Sequence, residues 1–362
     1  MRKGTLIAFN GSGQHLVAEE HPLPALRTGE ILVKNRYTTL CGSDMHTYCG
    51  VRQEACPTVL GHEIVGEIVE IDAAHTGVDD NGRALHVGDT VTWSIFSSNP
   101  QSVLAKEGIP QKGDDLFKYG HAKITDGDAF HGGLAEYCVL RRNTGVLKLP
   151  ATLPLPIAAT LNCAISTVAA SLRVAGDLTG KNVLVFGMGL LGVACLAMCR
   201  EAGATWVGAA DIADDRLLHA QHFGADYGLN LRKSNAEDIQ ALKQQFTKKG
   251  IDVVFDMSGS PDAMELGMEV LGIGGTAVWV GAVFKSRKIE IDAEQVIRNL
   301  HTIKGVHNYN FDDFKYALDF LEKSWQKYPF DTVVEKEFDL KDAEQAFEYA
   351  VAHKPLRVGI RI

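Results

Sequence analysis

Hydrophobic and polar positions change rhythm along this chain of 362 residues. Up to about residue 150, short apolar runs alternate with small or charged residues: EILVKNRYTTL (30–40), EIVGEIVEI (63–71), DTVTWSI (89–95), AEYCVLR (135–141) and GVLKLP (145–150). Each is rich in β-branched and aromatic side chains and bounded by Gly, Asp or Asn, the pattern of half-buried strands. They predict an antiparallel, partly open barrel. From about Leu153 the period lengthens. LPIAATLNCAISTVAASLRVAG has helical length and spacing, and NVLVFG, TWVGAADI, YGLNL, IDVVFDMSG and TAVWVGAV then alternate with amphipathic segments, one of them NAEDIQALKQQFTKKG. Apolar strands separated by helices of ~10–15 residues predict a parallel sheet covered on both faces. The last 60 residues or so carry two amphipathic helices, DDFKYALDFLEKSW and KDAEQAFEYAVAHK, and the strand-like RVGIRI. From pattern alone these either extend the second region or return to the first.

Length and composition narrow the class. The chain is too long for one core and suits two domains. Hydrophobic content of 46%, charged content of 22% and a net charge of −9 describe a globular protein without an electrostatic footprint for nucleic acid or anionic membrane. The N-terminus lacks a signal-peptide apolar run, and the longest apolar stretches are Gly-punctuated and shorter than a membrane span. A cytoplasmic location is the expectation. Seven cysteines, at 41, 49, 56, 138, 163, 195 and 199, form no disulfide framework.

Chemistry enters first at Gly187-Met188-Gly189-Leu190-Leu191-Gly192, between the strand NVLVF and an apolar helix. In that placement Gly187 permits a tight turn and Gly189 lets a pyrophosphate approach the backbone. Gly192 allows strand and helix to pack closely, and the helix N-terminus favours anionic phosphate. Asp211 closes the next strand, 19 residues after Gly192. A carboxylate there accepts hydrogen bonds from both adenosine-ribose hydroxyls and repels a 2′-phosphate, which favours NAD over NADP. Arg216 nearby weakens that inference slightly.

The stretch LCGSDMHTYCG (40–50), followed by GHE (61–63), has three readings: a disulfide, a packed thiol among ordinary loop polars, or half of a metal site. Hydride transfer from an alcohol needs a Lewis acid for the developing alkoxide, and a catalytic zinc takes three protein ligands with one open position. Cys41 and His62 are suitable types, and Cys163 in TLNCAIST is a candidate third ligand. Cys49, Cys56, Cys138, Cys195 and Cys199 read as packed or pocket-lining thiols.

CGSDMH, GHEIVGEI, LNCAIST and GMGLLG, with HVGDTV and HGGLAEY, occur in an order and spacing that resemble the zinc-dependent medium-chain alcohol dehydrogenases, and the likeness covers essentially the whole chain. The resemblance implies a GroES-like β-rich catalytic domain (1–155 and 300–362) interrupted by a Rossmann doubly wound parallel-sheet domain (156–299). It implies one catalytic Zn2+ on Cys41, His62 and Cys163, and NAD at Gly187, Gly189, Leu190, Leu191, Gly192, Asp211 and Arg216, with Gly281 supplying a backbone contact to the nicotinamide amide. Glu63 matches the acid beside the metal and Asp44 the carboxylate that orients the histidine. Ser43 matches the hydroxyl that bonds the substrate oxygen, and His46 the base at the far end of a proton relay. Arg357 has two readings, a pyrophosphate contact and a surface cation. The implied reaction is reversible oxidation of a primary or secondary alcohol to an aldehyde or ketone by a homodimer or homotetramer. A covered sheet edge at TAVWVGAV and KIEID is expected in such an assembly.

One departure is informative. Many members of that family hold a structural zinc on four closely spaced cysteines, yet no cysteine lies between Cys56 and Cys138; Asn99, Ser102, Ala105 and Gly113 occupy the corresponding places. A four-cysteine site is excluded, and the loop at 97–123 must hold itself by other means. GIPQKGDDLFKYGH, LNCAISTVAA and IKGVHNYNFDDF are most similar to a branch associated with phosphonate catabolism, and Lys118, His121 and Arg52 are candidates for meeting an anionic substrate if they face it. Two rival readings stand beside the zinc dehydrogenase: a metal-independent enone or quinone reductase, and a nucleotide-binding sensor without turnover.

Overall fold

The structure is a computed structural model that describes residues 2–246 and 250–362. It divides into two compact units, Met1–Cys163 with Asn310–Gln326 and Phe330–Ile362, and Ala164–Tyr309 with Lys327–Pro329.

In the first unit the long strand Ile31–Leu40 is the hub. It pairs antiparallel with Glu63–Ile71, with Tyr137–Leu140 and with the C-terminal strand Arg357–Arg361. Glu63–Ile71 continues the sheet to Thr90–Ser97, and that strand pairs with Thr144–Lys148 and Phe117–Lys118. The sheet curls because the pairings shift register in both long strands, at Leu32/Val33 and Asn35/Tyr37. Bulges of this kind raise local twist. The strands that alternation predicted are all present, and RVGIRI joins them. Both buried clusters of this unit, one around Phe9, Leu60, Phe130 and Phe347 and one around Ile64, Trp93, Phe117 and Tyr119, pack against this sheet.

The second unit is a six-stranded all-parallel sheet in the spatial order Tyr227–Asn230, Trp206–Asp211, Asn182–Phe186, Ile251–Asp256, Leu271–Trp279, Thr302–Gly305. Numbered along the chain this order is 3-2-1-4-5-6, the doubly wound dinucleotide topology, whose ligand crevice lies outside the strand ends where the order reverses. The chain returns to the first unit at Asn310, beyond the expected residue 300, because Thr302–Gly305 is still a strand of this sheet. At the other end the division falls after Cys163, where the expectation was residue 155.

Three expectations need correction. The edge strand is Thr302–Gly305; TAVWVGAV lies inside the sheet, paired on both sides, and Lys288–Asp292 is irregular. Leu155–Ala175 is, against the sequence reading, long and apolar enough to cross a membrane, but 83% of its most apolar window is buried in the protein. That segment is also not one regular helix. A π-helical turn, Leu161–Ile165, separates Leu155–Ala159 from Ser166–Ala175. The helix over NAEDIQALKQQ runs Ala236–Gln245, and its expected continuation at 247–249 lies outside the described residues.

The 97–123 loop is folded. Ser102 caps the short helix Val103–Lys106 by accepting from the Ala105 amide, Asn99 N–H donates to the Asp114 carbonyl, and a Cβ on Gly113 would sit 2.7 Å from Ser102 Oγ. Asn99, Ser102, Ala105 and Gly113 thus lie within one folded, hydrogen-bonded loop. Asn310 donates to the Gly108 carbonyl and Phe311 stacks on Phe96, which ties this loop to the C-terminal segment.

Candidate functional site

Cys41 stands at the N-cap of the helix Gly42–Tyr48, and Asp44 organises everything around it. Asp44 is 1% exposed and accepts from the Cys41 amide (2.9 Å), the Gly61 amide (3.2 Å) and His62 Nδ1 (3.2 Å). One carboxylate therefore fixes the backbone before two candidate ligands and leaves the imidazole Nε2 as the free coordinating nitrogen. The π turn presents Cys163 to the same point. π turns widen a helix by one residue and recur at functional sites. Among the described residues, Cys41, His62 and Cys163 form the one group of three able to grip a metal, with ligand atoms all within 4.8 Å of one another.

The titration behaviour fits a cation. The hydrogen bond from Cys163 holds Cys41 well below the usual thiol range despite burial, helped by Arg357 and His62. That same bond, together with burial, pushes Cys163 well above it. Two thiols this close share one proton, and both ionise only when positive charge lies between them. Burial disfavours charge on His62, yet Asp44 and Cys41 hold its pKa well above the usual value. Two cysteines and one imidazole, with Cys163 partly accessible, are a donor set that fits a zinc ion.

Arg357 is neither at a pyrophosphate nor on the surface. It is buried, donates to both oxygens of the fully buried Glu63 (2.7 and 2.8 Å), and reaches Cys41 Sγ at 3.6 Å. Thr39 Oγ1 donates to the same carboxylate. Burial raises the pKa of Glu63 and Arg357 opposes that shift. Strand pairing explains this contact, which sequence reasoning missed: Val358, beside Arg357, pairs with Leu40, one residue before Cys41, although some 316 residues separate Arg357 from Cys41. Ser43 and His46 are three apart on one helix and so share a face. Ser43 Oγ lies 3.4 Å from His62 Nε2, and burial depresses the pKa of His46. His121 is partly buried; its ring centroid is 5.1 Å from that of His62, and its Nδ1 pairs with Glu54, which also binds Arg52.

In the second unit a cavity of about 690 Å³ opens where the sheet order reverses, lined by Gly187, Gly189, Asp211, Arg216, Asn235 and Ser258 among others. Gly187 has φ +88°, which only glycine adopts cheaply, and a Cβ on Gly192 would collide with the Gly187 carbonyl oxygen. Around Gly189, at the helix N-cap, a Cβ would meet nothing within 4 Å, so there is room for an anion at the helix N-terminus. Leu190 and Leu191 open that helix without lining the cavity. Asp211 sits at the cavity wall, accepting from the Met188, Ile212 and Ala213 amides. Asp256 binds Ser258 and Gly259 and shapes the loop beside the cavity. Gly281 packs so tightly on Gly259 that a side chain is excluded, and its own N–H is taken by the Asp256 carbonyl. Ser234, Asn235 and Ser258, unremarkable in sequence, are lining residues that only the fold reveals.

A three-ligand metal cage on a curled β sheet, with a doubly wound nucleotide unit in the same chain, defines a metal-assisted nicotinamide oxidoreductase. The family model described as "Alcohol dehydrogenase GroES-like domain" matches residues 27–151, and "Zinc-binding dehydrogenase" matches 191–323. The chain is 30% identical over 370 residues to D-xylulose reductase A of Aspergillus oryzae, covering 98% of this chain and 96% of that one. It is 29% identical over 358 residues to a sorbitol dehydrogenase of Halalkalibacterium halodurans, covering 96% of each. The crystal structure of an alcohol dehydrogenase from Thermotoga maritima superposes over 100% of both chains with a TM-score of 0.94 at 24% identity. The chain belongs to the zinc-type medium-chain dehydrogenase/reductase family, and its chemistry is alcohol–carbonyl oxidoreduction.

Proposed function

We propose that this chain is an NAD-preferring dehydrogenase that oxidises a primary or secondary alcohol to the aldehyde or ketone, and that Cys41, His62 and Cys163 hold its single zinc. The supporting observation is the convergence of those three ligand atoms within 4.8 Å, one helical turn from Ser43 and His46. When bound there, zinc supplies Lewis-acid polarisation of the substrate oxygen. The side chains do the rest. Ser43, whose Oγ lies 3.4 Å from His62 Nε2, is placed to accept the hydroxyl proton of an alcohol, and His46, three residues on along the same helix, is the base that would receive it. Depression of its pKa keeps the His46 imidazole neutral and able to accept that proton. Asp44 holds the tautomer and direction of His62, and the Glu63–Arg357 pair braces Cys41. A nicotinamide dinucleotide, held by the second unit, would supply the hydride acceptor. Gly187, Gly189 and Gly192 would seat its pyrophosphate, Asp211 with Arg216 beside it would receive the adenosine ribose, and Gly281 would serve the nicotinamide amide.

The similarity to sorbitol and xylulose enzymes favours secondary alcohols of polyol type, with hydroxyalkyl phosphonates the second class to try. A metal-independent enone or quinone reductase and a silent sensor are disfavoured by the complete ligand set. The exposed edge strand Thr302–Gly305, with Ile297 and Leu300 about 70% exposed next to it, supports a homo-oligomer built on that edge. Seven free thiols suit a reducing, cytoplasmic location. Metal analysis of purified protein, with NAD and NADP assayed over alcohols and polyols, tests the reading: about one zinc per chain and faster reduction of NAD are expected. Asp211→Ser should narrow the NAD preference, and unchanged selectivity would refute the ribose contact. A metal-free yet active protein would overturn the zinc assignment.

A further inference from the structure

Beyond Gly281 the chain of the second unit leaves the sheet as an irregular strap, 282–292, before Asp292 caps the helix Ala293–Arg298. Two contacts pin that strap to the wall of the cavity described above. At its start, a Cβ on Gly259 would stand 2.5 Å from the Gly281 carbonyl oxygen and 3.0 Å from the Ala282 amide nitrogen. Gly259 lies between Ser258 and Ser260, both of which line the cavity. Further along, Arg287 reaches the helix Pro261–Val270. Its guanidinium donates to both carboxylate oxygens of Glu265 (2.6 and 2.8 Å) and to Asp262. The Glu290 amide also donates to Glu265, at 2.8 Å. A lone surface ion pair contributes little, but a guanidinium forked over one carboxylate, with a backbone amide on the same group, is a stronger geometry. Arg287, then the Glu290 amide, holds the Glu265 carboxyl down to about 2, so this clasp stays charged near neutral pH. Asp262 differs from Glu265 in lining the cavity, the same space that Gly187 and Gly189 open onto. A bare carboxylate there would repel a pyrophosphate. Among the described residues, Arg287 is the one cation paired with Asp262.

We propose that Arg287 is a positioning residue for the dinucleotide: it cancels the charge of Asp262, which would otherwise oppose the cofactor's phosphates, and holds the 282–292 strap against the cavity wall while doing so. This rests on the reading of that cavity as the dinucleotide site. The guanidinium is occupied by Asp262 and Glu265, so its influence on the cofactor passes through them and not through a phosphate contact of its own. Glu265 supplies the fixed point: it sets the direction of the fork, and the fork then lies over Asp262, three residues earlier on the same helix face.

Calorimetry of NAD binding to the full, zinc-loaded chain, with steady-state kinetics beside it, tests this. Arg287→Met should weaken NAD binding about fivefold and raise the KM for NAD, with kcat at saturating NAD and zinc affinity in a chelator competition both unchanged. The deficit should shrink as ionic strength rises, because it comes from an exposed charge. Adding Asp262→Asn to Arg287→Met should recover most of the loss, since no unpaired carboxylate then faces the phosphates. Asp262→Asn alone leaves the strap clasped to Glu265 and should tighten NAD binding about threefold; weaker binding there overturns the proposal even if Arg287→Met fails to fold. Equal affinity in the parent and Arg287→Met, or a loss that Asp262→Asn does not correct, overturns the proposal and leaves the dinucleotide site standing. A parent chain that binds neither NAD nor NADP overturns both.

Discussion

Removal of the Arg357 guanidinium probes how the metal cage is braced. In Arg357→Met, Glu63 loses two charge-assisted hydrogen bonds (2.7 and 2.8 Å) and keeps only Thr39, while remaining 0% exposed. An unpaired buried carboxylate costs about 3–5 kcal/mol. The variant relieves part of this by protonating Glu63, whose pKa burial already raises and Arg357 restrains. The sign follows: a raised folded-state pKa favours the protonated form, so the added stability is present at low pH and lost as pH rises through the folded value. The destabilisation should therefore be largest near pH 8 and smaller near pH 5.5. Glu63→Gln/Arg357→Met removes both charges and should fall short of the sum of the single variants by about 2 kcal/mol or more. Urea unfolding followed by fluorescence at the two pH values measures all of this. Additive single variants, or a loss independent of pH, would refute the view that the pair acts as one buried unit.

Two further outcomes are expected. Asp44→Asn leaves a donor facing the Cys41 and Gly61 amides and should weaken zinc binding about 10–100-fold in a chelator competition; affinity within twofold of the parent would contradict it. Gly192→Ala, which drives a methyl into the Gly187 carbonyl, should abolish measurable dinucleotide binding by calorimetry and lower the unfolding midpoint.

Much of this was legible in the residues. GMGLLG after an apolar strand located the phosphate turn, because the three glycines do separate steric jobs that no other residue does. Alternation located the strands, and the resemblance, carried by joint spacing, singled out Cys41 and Cys163 among seven cysteines together with His62, three groups that the structure brings within 4.8 Å. What escaped was whatever depends on strand order. Arg357 meets Glu63 only because the last strand pairs with Ile31–Leu40, and a local pattern holds no record of such a pairing. Thr302–Gly305 was missed as an edge strand because TIKG is short and lacks alternation. The π turn at Cys163 was invisible for a different reason: the segment around it is buried on nearly every side, so no apolar stripe records the phase shift that the turn introduces. Ser258 and Asn235 became lining residues through loop geometry set by Asp256 and by helix capping.

The loop closed by Ser102, Asn99 and Gly113 has a practical consequence. With its polar contacts made by hydroxyl and amide groups, it offers no competing thiolate nest, so a dialysed sample refilled with cobalt would absorb light from the Cys41–His62–Cys163 centre alone. Each shift of that colour on adding an alcohol would report directly on the coordination sphere.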